Sequence, residues 1–204
     1  MDDHLGMYQT YGQRLLKLQQ AAVDWGMNHK REFLRTAKKL GMLGANDTLL
    51  FDSDSELSIL MDGLIYETRV EQQKIVTAFL KQYTCKDDID RQLADAMRQA
   101  QFGLYRIEAI TRDHAALQLK ALVAEIADVT ITNVALSQSA RTGMVIALRI
   151  LRLPALSIAS GVFFAFESVR AQRIVREWWK LQGLERYAHI FRLSLKEPIQ
   201  TAFV

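Results

Sequence analysis

The chain has 204 residues, 50% of them hydrophobic and 24% charged, with 26 Lys and Arg against 23 Asp and Glu and a formal net charge of +3. Ample apolar material excludes a disordered chain, and the length suffices for one domain or one and a half with a core of its own. The single cysteine, Cys85, excludes an internal disulfide and predicts a reducing, cytoplasmic setting.

Met1-Asp2-Asp3-His4 has neither the basic start nor the apolar run of a signal peptide, so no leader is expected. From 5 to 40, Leu15, Leu16, Leu18, Ala22, Val23 and Trp25, then Phe33, Leu34, Ala37 and Leu40, recur at helical spacing. They predict a helix broken or kinked at Gly26-Met27-Asn28 and ended by Gly41 and Gly44. Ser53-Asp54-Ser55-Glu56 fits a capping box, in which Ser and Glu side chains satisfy free N–H groups at a helix start. That second helix turns Leu57, Leu60, Met61, Leu64 and Ile65 inward. Further helices are predicted over 69–83 and 87–100, the latter led by Asp87 and Asp88.

At Phe102 the rhythm changes. Tyr105, Ile107 and Ala109 alternate with Arg106 and Glu108 in a strand over 104–110, followed by a turn at Thr111–His114. A second strand buries Leu117, Leu119, Ala121 and Val123, and Val129–Val134 is β-branched. Ser137–Gly143 reads as a polar connection. Strands over 144–153 and 156–166 follow, separated by Pro154, with Gly161 marking a bulge or a close backbone approach. The apolar stretch Gly143–Phe166 is no membrane span, because Arg149 and Arg152 lie near its centre. Helices over 167–182 and 184–196 are separated by Gly183, and Pro198 ends the second. Short connections favour antiparallel pairing. The expected fold is α+β: a helical region (1–100), a small antiparallel β barrel or curled sheet (101–166) and C-terminal helices (167–204) packing back, as one structural unit.

No complete catalytic signature emerges. Asp52 and Asp54 form an Asp-x-Asp after an apolar run, the arrangement in which one carboxylate attacks phosphorus while a second serves as acid or base. That chemistry also needs a lysine and a further acidic pair on a parallel sheet, and no such pair follows. The competing reading is the helix cap. His4, His29, His114 and His189 stand at no metal-ligand interval, so no metal and no cofactor is expected. Ser157-Ile158-Ala159-Ser160-Gly161 is not a nucleophile elbow, and no His lies near Cys85.

Charge is unevenly spread. Basic residues gather near both ends (Arg14, Lys17, Lys30, Arg31, Arg35, Lys38 and Lys39; Arg170, Arg173, Arg176, Lys180, Arg186, Arg192 and Lys196), and the stretch 47–95 leans acidic. This pattern suits either a basic face for an acidic partner or basic helices packed beside acidic ones. Arg173, Arg176, Trp179 and Lys180 form a basic-aromatic cluster and the candidate partner-binding site. Trp178 and Trp179 point about 100° apart on a helix. Either one anchors a partner while the other enters the core, or both cover the β unit.

The β region also resembles a bacterial domain family often found beside the SecA C-terminal (SEC-C) zinc motif. The resemblance rests on Phe102–Glu108, Leu117–Leu122, Val129-Thr130-Ile131, Leu136–Ser139, Gly143-Met144 leading to Arg149, and Ser160-Gly161. It covers roughly 47–166, with Phe51-Asp52 at its helical entry. It departs from the pattern in lacking the cysteine-rich zinc motif and in reading Gly143-Met144 for Gly-Asp, so no zinc role follows. The family implies no reaction. The expected function is a non-catalytic cytoplasmic module that binds or scaffolds another protein, not a membrane. Two alternatives are a nucleic-acid binder using the basic terminal helices and the β unit, and a metal-dependent phosphatase using Asp52 and Asp54.

Overall fold

Leu15, Leu18, Ala22 and Val23 share one stripe of a long helix, α1 (Asp2–Met27), and that stripe is buried against the other N-terminal helices. The structure, a computed structural model, describes residues 2–196; Pro198 lies outside them. The expected break falls after Met27, and α2 (Lys30–Leu40) ends on Gly41 in the left-handed conformation (φ 82°), which glycine adopts without steric cost.

α3 (Asp54–Glu67) starts at Ser53, but the reciprocal cap is not formed. The Ser53 hydroxyl pairs with that of Ser55 at 2.7 Å, and Glu56 accepts instead from the backbone N–H of Asp52 at 2.8 Å. The helix expected over 69–83 is corrected at its first six residues. Arg69–Val70 (β1) and Gln73–Lys74 (β2) pair as a hairpin through Glu71 and Gln72, both at positive φ as a two-residue type I′ turn requires. Only Ile75–Leu80 is helical (α4), and Ile75, Val76, Phe79 and Leu80 are buried as expected. α5 (Asp88–Gln99) is capped by Asp87, whose side chain accepts from the Asp90 N–H at 2.9 Å.

Five longer strands follow: β3 (Gln101–Thr111), β4 (Ala116–Ala121), β5 (Val129–Thr132), β6 (Val145–Arg152) and β7 (Ser157–Phe166). They close into a barrel in the order β3-β4-β5-β7-β6, with β6 pairing back onto β3. Closure departs from the antiparallel expectation, because β5 meets β7 in parallel at Thr132 and Ile158. The polar connection expected at 137–143 is also corrected. Val134–Ser139 forms a short helix, α6, capped by the Asn133 side chain accepting from the Leu136 N–H at 2.8 Å. Side chains at 105 and 107 of β3 and at 146, 148 and 150 of β6 fill the barrel, and Leu136 and Ala140 close one of its ends. The alternate residues, among them Leu104, Val145, Ala147 and Phe164, face outward under the helices. α7 (Ala171–Trp178) and α8 (Gly183–Lys196) pack back over that outer face, so the barrel is sealed on the helical side.

Basic and acidic helices do pack together at the N-terminal end. Arg14 of α1 bonds Asp87 at 2.7 Å and Asp90 at 2.6 Å. Burial tends to raise the Asp90 pKa. The Arg14 bond, the Lys86 N–H and the Arg14 charge overcome that and hold it below the usual carboxylate range. Asp87 is lowered by the Asp90 N–H and then by Arg14. Unfolded aspartates titrate near about 3.9. Both groups therefore stabilise the fold fully above that value, and the contribution is lost as pH falls through their lower folded values. We expect Arg14→Ala to make the fall of Tm between about pH 5 and pH 2 shallower than in the wild type, as read by thermal melts across that window.

Candidate partner-binding face

The inner face of α7 is set by Ala171, Ile174 and Trp178, at three- and four-residue spacing, all buried. Trp178 is only 1% exposed; it stacks on Phe102 with ring centroids 5.4 Å apart, and the Arg186 guanidinium lies 4.7 Å from its ring. The opposite face carries Arg173 and Arg176, and the turn beyond adds Trp179 and Lys180. Trp179 is 50% exposed, and Val169, just upstream, is 80% exposed. The reading in which both tryptophans cover the β unit therefore holds for Trp178 alone. Arg176 donates through Nε to the Gln172 carbonyl at 3.3 Å, and Lys180 pairs with Glu177 at 2.7 Å. The Lys180 bond is the main cause that holds the Glu177 carboxyl below its ordinary range. The four nominated side chains are thus all exposed, on α7 and the turn just beyond it.

A second polar assembly is almost wholly buried. Arg149 on β6 points outward from the barrel, under the helices, and is 1% exposed. Its Nη2 donates to Glu67 at 2.7 Å and to Asp62 at 3.1 Å, and its Nε reaches Asp62 at 3.4 Å. Ser160 donates to the same Asp62 carboxylate at 2.9 Å, and the guanidinium lies 4.3 Å from the centre of the Tyr66 ring. Opposite Arg149 the β6–β7 register shifts, and Gly161 takes φ 112°. That bulge, which favours glycine, turns Ser160 toward α3. Burial works against the charge on Arg149, yet the two carboxylates raise its pKa, so it stays ionised. Burial is also the first cause that raises Tyr66, followed by the Asp62 charge. Arg149 and Ser160-Gly161, which carried the family resemblance, therefore come together through Asp62 and Glu67 as a clamp between α3 and the barrel. Neither acidic residue stood out in the sequence. The only available signal was a carboxylate (Asp62) on the otherwise apolar inner face of α3.

The remaining sequence candidates stay apart. Asp52 and Asp54 are exposed, one on a loop and one in the first turn of α3, and neither is borne on a strand. His4 shares a hydrogen bond with Thr132 at 2.8 Å, His29 packs on Trp25, His114 is exposed, and His189 lies 3.5 Å from Glu177. Cys85 is half-buried against the N-terminal core. Among the described residues, no group of three His, Cys, Asp or Glu side chains could hold a metal. None of the helices there is long and apolar enough to cross a membrane.

Together these features define an α+β protein in which a five-stranded barrel is clamped to a helical shell by a buried arginine. The chain belongs to the family of unknown function DUF7986, which it matches over residues 2–194. This agrees with the uncharacterised family expected from the sequence, and the match carries no association with SEC-C. No curated protein and no solved structure matches the chain.

Proposed function

We propose that this protein is a non-catalytic binding module of the cytoplasm that docks an acidic surface of another protein on its α7 face, through Arg173, Arg176, Trp179 and Lys180. One observation carries the reading. Of two adjacent tryptophans, Trp178 anchors the fold, while Trp179 stands half in solvent on a segment that also exposes Arg173, Arg176 and Lys180. An exposed indole on a segment that also presents arginines and a lysine has the composition of an interface hot spot, where aromatic and arginine side chains contribute most of the affinity. Charge complementarity commits the partner to an acidic surface, which such a patch would steer and orient. The single cysteine supports the cytoplasmic setting.

The test is a quantitative capture experiment from the native host with wild-type protein, Trp179→Ala and Arg176→Glu. We expect a partner whose recovery falls by roughly tenfold or more in both variants, resists nuclease and weakens with salt. Equal recovery by all three proteins would sink the proposal. Recovery abolished by nuclease would replace it with the nucleic-acid reading.

A further inference from the structure

The barrel has two unlike ends. α6 closes the end at which β6 begins, through Leu136 and Ala140. At the other, where β3 begins and β6 finishes, lies a cleft of about 510 Å³, within the range of small-molecule sites. Barrel mouths are among the places where such sites recur. Here the cleft is lined by Lys74, Arg98, Gln101, Tyr105, Ile150 and Arg152 together with the short α5–β3 link, and no carboxylate lines it among the described residues.

Its floor is built in a specific way. Tyr105 lines the cleft although it is 1% exposed, and no protein atom among the described residues hydrogen-bonds its hydroxyl. A Cβ on Gly103 would stand 2.7 Å from that hydroxyl oxygen, 2.6 Å from a ring carbon and 2.6 Å from Ile126 Cδ1. Glycine at 103 is thus what lets the phenol lie back along β3 toward the mouth. Burial raises the Tyr105 pKa to about 12, with the Arg152 charge opposing, so the hydroxyl is a neutral donor at ordinary pH.

The rim is cationic. Arg152 and Lys74 have no ion pair or hydrogen bond among the described residues. Arg98 bonds Asp95 at 2.7 Å and the Leu80 carbonyl at 3.0 Å, both through its terminal nitrogens. Burial lowers the Lys74 pKa, and Glu67 offsets this only in part, so an anion beside the amine would favour its charged form. The carboxyl end of α5 points a weak opposing dipole at the cleft, which the unpaired Arg152 guanidinium outweighs.

We propose that the barrel mouth binds a small phosphate-bearing molecule, its phosphoryl oxygens held by Arg152, Arg98 and Lys74 and by a hydrogen bond donated from the Tyr105 hydroxyl at the floor. Several cations converging with one neutral donor suit a dianion with three or more acceptor oxygens. The concavity suits a small ester better than a polymer backbone. This site is separate from the α7 face and stands or falls without it.

The experiment is calorimetric titration of the full chain at low salt with inorganic pyrophosphate, adenosine monophosphate and adenosine, on wild type, Arg152→Gln, Tyr105→Phe and Trp179→Ala. Saturable binding of the two phosphate-bearing compounds and not of adenosine is expected. It should weaken roughly tenfold in Arg152→Gln, measurably in Tyr105→Phe, and not at all in Trp179→Ala. Thermal melts of the ligand-free proteins check that Arg152→Gln and Tyr105→Phe remain folded. Absence of saturable binding at millimolar concentration, or binding unchanged in both cleft variants, overturns the proposal. So does a short single-stranded oligonucleotide that binds more tightly than the monophosphate and loses affinity in Arg152→Gln, since the occupant would then be a nucleic acid.

Discussion

Arg149→Met is expected to lower stability by about 3–5 kcal/mol, the cost of removing one partner from a buried ion pair. For a chain of this size that corresponds to a fall in Tm of roughly 6–20 °C. The penalty does not come from the lost attraction alone. Methionine fills most of the volume but leaves Asp62 and Glu67 buried without their paired guanidinium, and neither Ser160 nor Lys74, which feels the Glu67 charge but forms no ion pair with it, replaces that partner. The same reasoning predicts a partial rescue. Arg149→Met combined with Asp62→Leu and Glu67→Gln removes the stranded charges and should recover a substantial part of the loss, because well-packed apolar replacements of buried ion pairs are often neutral or better. Melting curves of the single and triple variants decide the matter. A single variant as stable as wild type would mean that the clamp contributes nothing to holding α3 on the barrel.

Trp178→Ala carries the second large effect. The indole is buried between Phe102 and Arg186, so truncation leaves a cavity at the centre of the outer core, and a loss of about 3–5 kcal/mol is expected. Its neighbour provides an internal control. Trp179→Ala removes a half-exposed side chain and should change stability by no more than about 0.5 kcal/mol. Chemical denaturation of the two variants separates the roles of two adjacent identical residues. If both lost stability equally, Trp179 would be part of the core, and the α7 face would lose its anchor as a docking surface.

Much of the architecture was legible because burial patterns are local. A helix repeats its inner face every three to four residues and a strand every two, so Leu15–Val23 and Tyr105–Ile107 announce their elements without knowledge of what covers them. Gly161 announced a break in regularity for the same reason. The capping box at Ser53 misled, since the Glu56 side chain accepts from the Asp52 N–H, one residue before the donor the box requires. The hairpin at 69–74 was hidden because its turn uses Glu71 and Gln72, not the glycine or asparagine that usually signals positive φ.

Composition and periodicity by themselves determined a folded α+β chain with a β unit set between helices, an inner and an outer side for most elements, and one tryptophan free to leave the core. Only the tertiary structure decided that the barrel closes through a parallel pair, that Arg149 meets Asp62 and Glu67, and that Lys74, Arg98, Arg152 and Tyr105 line one cleft. The reason is that a charged residue on an amphipathic segment reads the same whether it faces water, a partner or a buried counterion. The difference lies in contacts between residues far apart in the chain, 87 positions from Asp62 to Arg149, and these exist only once the chain has folded.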